Sequence, residues 1–124
     1  MVIQNPMMLP KVRSEALRGA AVYMPCTLRI ASFTGVDRCA AQDTNVMCHL
    51  PVHGKGTGTK VSDLHMACGC MTCHALLDGA DPKGIQIRER YPHAFYERLF
   101  LAHAETISRW VHLGLLNGTD WEII

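Results

Sequence analysis

The chain has 124 residues, the size of one domain, and 48% of them are hydrophobic against 19% charged, which excludes an intrinsically disordered protein. A net charge of +1 excludes a uniformly basic surface, so any DNA contact must come from local basic groups. No stretch approaches the roughly 20 apolar residues that span a bilayer, and the N-terminus lacks the pattern of a signal peptide. We therefore expect one domain over residues 1–124, without membrane contact, in a reducing cytoplasm.

The first third of the chain predicts short elements separated by turns. Residues 1–12 contain two prolines and no periodicity, so we expect an extended lead-in. Residues 14–21 predict a short helix capped by Ser14 or its neighbour. Residues 26–33 alternate weakly and predict a strand, after which residues 34–37 turn the chain back.

The middle of the chain predicts a strand, a loop and a helix. Residues 45–52 predict a second strand. The following loop, residues 53–60, has three glycines and no candidate core positions. Residues 73–77 predict a short helix that Gly79 ends. Residues 81–84 read Asp-Pro-Lys-Gly and predict a turn.

The clearest predicted element is a long helix over residues 92–116, which begins at Pro92 and ends near Gly114. Large side chains recur in it at spacings of 4, 3, 4 and 3, namely Tyr96, Phe100, His103, Ile107 and Trp110. That spacing places them on one face of a helix. We therefore expect this stripe to pack against the core.

Six cysteines in a reducing compartment indicate metal binding or thiols rather than disulfides. Cys70 and Cys73 form a CxxC motif, whose two thiolates can bind one zinc ion at tetrahedral angles. Cys26 and Cys39 flank the predicted turn and can supply the other two sulfurs if the chain folds back there. The alternative is that these cysteines are ordinary buried residues, as is common for cysteine. We expect the remaining two, Cys48 and Cys68, to be small buried hydrophobes.

The same CxxC motif has a second interpretation. Residues 70–74 fit CxxCH, the attachment sequence of c-type haem, and seven methionines make an axial ligand available. Haem attachment of that kind usually requires export, and it would leave four cysteines unexplained. Zinc is therefore favoured over haem.

Histidine and acidic residues near these cysteines could support metal-dependent chemistry. His74 and Asp78 are four residues apart on the predicted helix, so they can hold one divalent cation with open positions for water and phosphate. His49, on the predicted strand, could activate water for attack on a phosphodiester. The alternatives are a helix-capping Asp78 beside a surface histidine, and a structural His49.

These pieces follow a recognisable order. The order is a cysteine knuckle, a strand with His49, a glycine-rich loop, Asp63-Leu64, and CxxCH before a short helix. This order resembles that of the HNH endonucleases. It is most similar to the YbcO-type prophage nucleases, relatives of the phage Rap recombination endonucleases. The similarity runs from about Arg18 to Asp78. It implies an α+β fold, with a small zinc-stapled HNH (ββα-metal, treble-clef-like) domain at residues 14–79 and a long C-terminal helix packed on it.

The resemblance also implies an activity and its residues. It implies a metal-dependent endonuclease that hydrolyses DNA phosphodiesters, including branched or recombination intermediates, in the cytoplasm of a bacterial host. By resemblance, a structural Zn²⁺ would be bound by Cys26, Cys39, Cys70 and Cys73. His49 would be the general base, and His74 and Asp78 would bind a catalytic Mg²⁺ or Mn²⁺. Asp63 would lie where HNH proteins usually have the asparagine that holds the catalytic loop.

Two further expectations concern DNA contact and activity. The basic residues expected to contact phosphates are Lys55, Lys60 and Arg18. Cys48 stands where HNH proteins usually have a metal-binding Asp or His, and Asp63 replaces the usual Asn. A non-catalytic zinc-binding module for DNA or protein is therefore the alternative to an enzyme.

Overall fold

The structure, a computed structural model, describes residues 9–51 and 61–124. Its strands and helices, in chain order, are β1 (Val12–Arg13), α1 (Glu15–Gly19), a 3-10 helix (Ala20–Tyr23), α2 (Ile30–Thr34), a second 3-10 helix (Gln42–Thr44), β2 (Val46–His49), β3 (Met66–Gly69), α3 (Met71–Asp78), α4 (Pro82–Arg90), α5 (Pro92–His112) and β4 (Glu122–Ile123). The fold is therefore α+β with a long C-terminal helix, as predicted. No helix in the described ranges is long and apolar enough to cross a membrane.

The centre of the fold is the antiparallel pair of β2 and β3, in which His49 lies opposite Met66 and Cys48 opposite Ala67. Because side chains alternate along a strand, the pair has two different faces. Cys48 and Ala67 belong to one buried cluster, and Met66 belongs to a second. The first cluster also contains Leu28, Ile30, Leu76, Leu77, Phe95 and Leu99. The second contains Leu17, Ala20, Met24, Cys68 and Trp110.

The N-terminal part of the chain lies against the second face. Helix α1 begins where the sequence predicted, because the Ser14 hydroxyl accepts a hydrogen bond from the Leu17 amide at 3.1 Å. The predicted strand over residues 26–33 is wrong: the chain forms helix α2 there. Arg29, at a φ of 46°, takes the left-handed conformation that turns the chain into this helix.

A second correction concerns residues 81–84, which begin helix α4 and are not a turn. The Asp81 carboxylate accepts a hydrogen bond from the Lys83 amide at 3.0 Å, and Pro82 occupies the first turn of the helix. Gly84 lies so close to the preceding helix that a Cβ would overlap the Leu76 carbonyl oxygen. Helices α3 and α4 therefore meet without an intervening side chain.

Helix α5 begins at Pro92 as predicted, but it packs through a different face. Its buried residues are Phe95, Leu99, Ala102, Thr106 and Trp110. Of the predicted core stripe only Trp110 is buried, whereas Tyr96, Phe100 and Ile107 are 47%, 71% and 36% exposed. The Trp110 indole N–H donates to the Leu17 carbonyl oxygen at 3.3 Å, which ties α5 to α1.

Candidate metal centre and active site

The four cysteines predicted to bind zinc lie together. Their sulfur atoms are all within 4.8 Å of one another, and the Cys39 and Cys73 sulfurs are 3.7 Å apart. A tetrahedral site with Zn–S bonds of about 2.3 Å places its sulfurs about 3.8 Å apart. Helix α2 and the loop after it bring Cys26 and Cys39 to the N-terminus of α3, which carries Cys70 and Cys73. The cluster is consistent with a structural zinc site.

Backbone amides surround these sulfurs. The amide of Ala40 donates to the Cys70 sulfur at 3.2 Å, and the amide of Ala31 donates to the Cys73 sulfur at 3.4 Å. Hydrogen bonds of this kind stabilise thiolates, which are the form that binds a metal. They come from α2 and the loop after it, so the segment between Cys26 and Cys39 also supports the sulfurs of Cys70 and Cys73.

The pKa values of the clustered cysteines also favour the binding of a cation. The hydrogen bond from the Cys73 thiol lowers the pKa of Cys26 to about 5, although burial opposes the shift. The same hydrogen bond and burial raise the pKa of Cys73, and burial together with the Cys26 charge raises the pKa of Cys39. The Cys26 thiolate therefore forms readily, while Cys73 and Cys39 keep their protons until a cation replaces them.

A second group of site residues centres on the fully buried Asp63. Its carboxylate accepts two hydrogen bonds from the Arg18 guanidinium, at 2.7 and 2.9 Å, and one from the Ser14 amide at 2.9 Å. His49 Nε2 lies 2.9 Å from the Asp63 Oδ1 atom. Asp63 therefore joins α1 to the end of β2 and orients the His49 ring.

The ionisation of Asp63 follows from these contacts. Burial alone would raise the pKa of Asp63, but the hydrogen bonds from Arg18, Ser14 and His49 and the Arg18 charge together lower it. The carboxylate is therefore ionised at neutral pH. Because its folded-state pKa lies below the unfolded value of 3.8, Asp63 stabilises the fold above that pH, and the contribution is lost as pH falls through the folded-state pKa.

An Asp63→Asn protein should consequently be less stable than wild type at pH 7, by about 1–3 kcal/mol, because the Arg18 guanidinium loses its charged acceptor. The difference should shrink as pH falls below about 4, because the Asp63 carboxylate of the unfolded chain takes up a proton there while the folded-state carboxylate stays ionised until pH passes its lower pKa. Urea unfolding of both proteins at pH 7, 4 and 3 measures this. A difference that stays constant over this range would contradict the ionised Asp63.

The last two predicted site residues, His74 and Asp78, form a pair on α3. His74 Nε2 lies 3.5 Å from Asp78 Oδ2, and their side chains are 44% and 41% exposed. His49 is on the face of β2 opposite Cys48, and it is Cys48 that shares the buried cluster of the α3 residues. The contacts thus divide the four residues into two pairs, His49 with Asp63 and His74 with Asp78. That both pairs surround one phosphate stays a prediction.

A comparison with protein families bears on all of these residues. A family model described as "Putative nuclease YbcO" matches residues 15–113, more than half of the chain. The chain belongs to the YbcO family. The resemblance to the YbcO-type nucleases is thereby confirmed. No curated protein and no solved structure matched the chain.

In this YbcO family member, a cleft of about 380 Å³ lies beside His49, between α1 and β2. Arg18 and His49 line it together with Val22, Met47 and Met66. Arg18 was predicted to contact DNA, and its side chain is 42% exposed although the guanidinium binds Asp63. The other predicted phosphate contacts, Lys55 and Lys60, lie outside the described residues.

Sequence reasoning missed several contacts of this YbcO site. The pairing of Arg18 with Asp63 joins residues 45 positions apart, and no local pattern indicates it. His65 was also not singled out; burial and the charges of His103 and His49 lower its pKa. Only its place next to Met66, the partner of His49 across the strand pair, could have suggested it.

Proposed function

We propose that this YbcO family member is a metal-dependent endonuclease that hydrolyses DNA phosphodiesters, with branched DNA such as recombination intermediates as its substrate. Membership of a family described as nucleases supports the activity. The observation that carries the proposal is the contact between His49 and the buried, ionised Asp63. A histidine held by a carboxylate beside an open cleft is suited to activate water.

His49 is the general base in this mechanism. Donation from Nε2–H to Asp63 selects one tautomer of the imidazole and orients its ring for taking up a proton from water. The Asp63 charge also stabilises the imidazolium that results. Arg18 and the Ser14 amide hold Asp63, so they position the base indirectly and do not touch the reacting atoms.

His74 and Asp78 would hold the catalytic Mg²⁺ or Mn²⁺. Two ligand atoms on one cation at about 2.1 Å lie about 3 Å apart, which the observed 3.5 Å approaches, and both side chains are exposed enough to leave positions for phosphate. The cation would supply charge stabilisation for the scissile phosphate and its leaving oxygen. His74 and Asp78, one turn apart on α3, would bind the cation and orient it.

The four-cysteine zinc would be closed and structural in this assignment. Strands β2 and β3 and helix α3 follow one another along the chain, which supports a ββα-metal arrangement stapled by the zinc. Arg18 would contact DNA from the rim of the cleft, and the sequence between β2 and β3 would contribute Lys55 and Lys60. Such contacts position the backbone without reading sequence.

One observation favours a non-catalytic zinc-binding module as the second candidate. Cys48, which stands where HNH proteins usually have a metal ligand, is 2% exposed and belongs to the core. A buried thiol on that face cannot replace an exposed ligand for a hydrated cation. A module that binds nucleic acid without cleaving it would keep the zinc and lack hydrolysis.

Cleavage assays on a panel of labelled DNA separate the two candidates. We expect hydrolysis of four-way junctions, flaps or nicked duplexes with Mg²⁺ or Mn²⁺, faster than hydrolysis of plain duplex, and none in EDTA. Zinc should remain bound under those conditions, because a closed cysteine site exchanges its metal slowly. DNA binding without cleavage in any metal would favour the module.

A further inference from the structure

The outer surface of α5 carries an apolar stripe that the rest of the described chain leaves uncovered. The stripe consists of Tyr96, Phe100, Ala104, Ile107 and Val111, all of them exposed. Phe100 and Val111 are 71% and 62% exposed, which is unusual for an aromatic and a branched side chain on one helix face. The face that packs on the core is separate and already complete, with Phe95, Leu99 and Trp110 buried.

We propose that this stripe is the interface of a symmetric homodimer, in which α5 of one chain packs antiparallel against α5 of a second copy. Phe100, Ala104, Ile107 and Val111 follow one another at spacings of 4, 3 and 4. Those spacings form the seam of two heptads, which is the pattern of a helix that packs against another long helix. A two-fold contact requires one patch to be complementary to itself.

The length and symmetry of the stripe identify a second copy as the partner. Helix α5 has 21 residues, whereas the other α-helices in the described ranges have nine or fewer. The stripe is nearly palindromic about Ala104: Tyr96 and Phe100 lie on one side, and Ile107 and Val111 lie on the other at similar distances. In an antiparallel pair, Phe100 therefore meets Ile107 of the other copy, and the small Ala104 side chains let the helices approach closely.

The exposed area is sufficient for a weak but specific dimer. With side chains of about 150–250 Å² each, the exposed fractions of the stripe and the neighbouring Leu101 amount to roughly 500 Å² per chain, and polar rim residues add to this. The total over two chains approaches the roughly 1,200 Å² at the lower end of stable interfaces. Interfaces of this size are typical of weak complexes, so we expect dissociation at micromolar concentrations of protein.

The charges beside the stripe argue against nucleic acid as its occupant. The exposed polar residues beside the stripe are Glu97 and Ser108 at its outer edge and His93 at its N-terminal end, none of them a lysine or an arginine. Arg109, on another face of α5, pairs with Glu105, and Glu105 also binds Arg29. An apolar strip bordered by an acidic side chain repels phosphate and favours protein.

Sedimentation equilibrium of the full chain tests the dimer. Over about 1–100 µM protein, the weight-average mass should rise from 13.7 kDa toward twice that value. Phe100→Glu and Ile107→Glu should each weaken association at least a hundredfold, since two charges enter the interface of every dimer. Phe33→Glu is the matched control, because Phe33 is 54% exposed on α2, away from the stripe.

The outcomes are decisive once circular dichroism shows that each variant is folded. A dimer that dissociates in Phe100→Glu and Ile107→Glu, and persists in Phe33→Glu, supports the interface. A wild-type chain that stays monomeric throughout overturns it. A dimer that survives both substitutions in α5 also overturns it.

Discussion

A Cys73→Ser protein is expected to lose both its zinc and its cooperative unfolding transition. The Cys73 side chain is fully buried, and its sulfur lies 3.7 Å from that of Cys39 and shares a hydrogen bond with Cys26. Structural zinc contributes about 10 kcal/mol or more to small domains, which matches the whole stability of about 5–15 kcal/mol. Zinc analysis by mass spectrometry should show one equivalent per wild-type chain and almost none in the variant.

A control substitution at another buried cysteine separates the effect of losing the metal from the effect of changing a buried side chain. Cys68 is as deeply buried as Cys73, but it belongs to the cluster around Trp110, and burial raises its pKa to about 12. Cys68→Ala should keep its zinc and lose only about 1 kcal/mol of stability. Equal losses of stability in the two variants, with zinc unchanged, would reject the ligand assignment.

Replacing His49 by alanine should lower the cleavage rate by about 10²–10⁴-fold, the usual contribution of a general base. The fold should survive, because the His49 side chain is 31% exposed and Asp63 keeps its bonds to Arg18 and Ser14. Single-turnover cleavage of the preferred DNA substrate, with saturating Mg²⁺ or Mn²⁺, measures the effect.

His112→Ala is the matched control, since His112 is exposed at the end of α5 and lies in neither of the proposed residue pairs. Its cleavage rate should equal that of the wild type. His74→Ala should reduce activity in a way that higher metal concentration partly restores, which distinguishes a metal ligand from the base. A fully active His49→Ala protein would exclude the proposed base, whatever the behaviour of His74.

Local signals were sufficient to predict the ends of several elements. Ser14 caps α1, Pro92 begins α5, and Gly79 ends α3 at a φ of 88°. Each signal acts within one helical turn, so the sequence alone carries it. The cysteine cluster was predictable for a different reason, because a CxxC motif together with a second pair of cysteines is a pattern typical of zinc ligands.

Some predictions were wrong because one sequence signal is compatible with two kinds of local structure. Asp81 followed by Pro82 is compatible with a turn and with the first residues of a helix, and only the approach of Gly84 to α3 favours the helix. Helix α5 is apolar on two adjoining faces, so periodicity could not decide which one meets the core. The contacts of Asp63 depend on tertiary structure and have no local pattern.

The position of Trp110 makes its fluorescence a natural probe of the cleft beside His49. The chain has two tryptophans, and both Trp110 and Trp121 contact the cluster that includes Leu17 of α1. Leu17 precedes Arg18, the residue that holds Asp63. We expect a ligand that draws Arg18 away from Asp63 to release one attachment of α1 and so to change the surroundings of the Trp110 indole, which donates to Leu17 of that helix. Intrinsic fluorescence, without any attached dye, would then report the occupation of the cleft in real time.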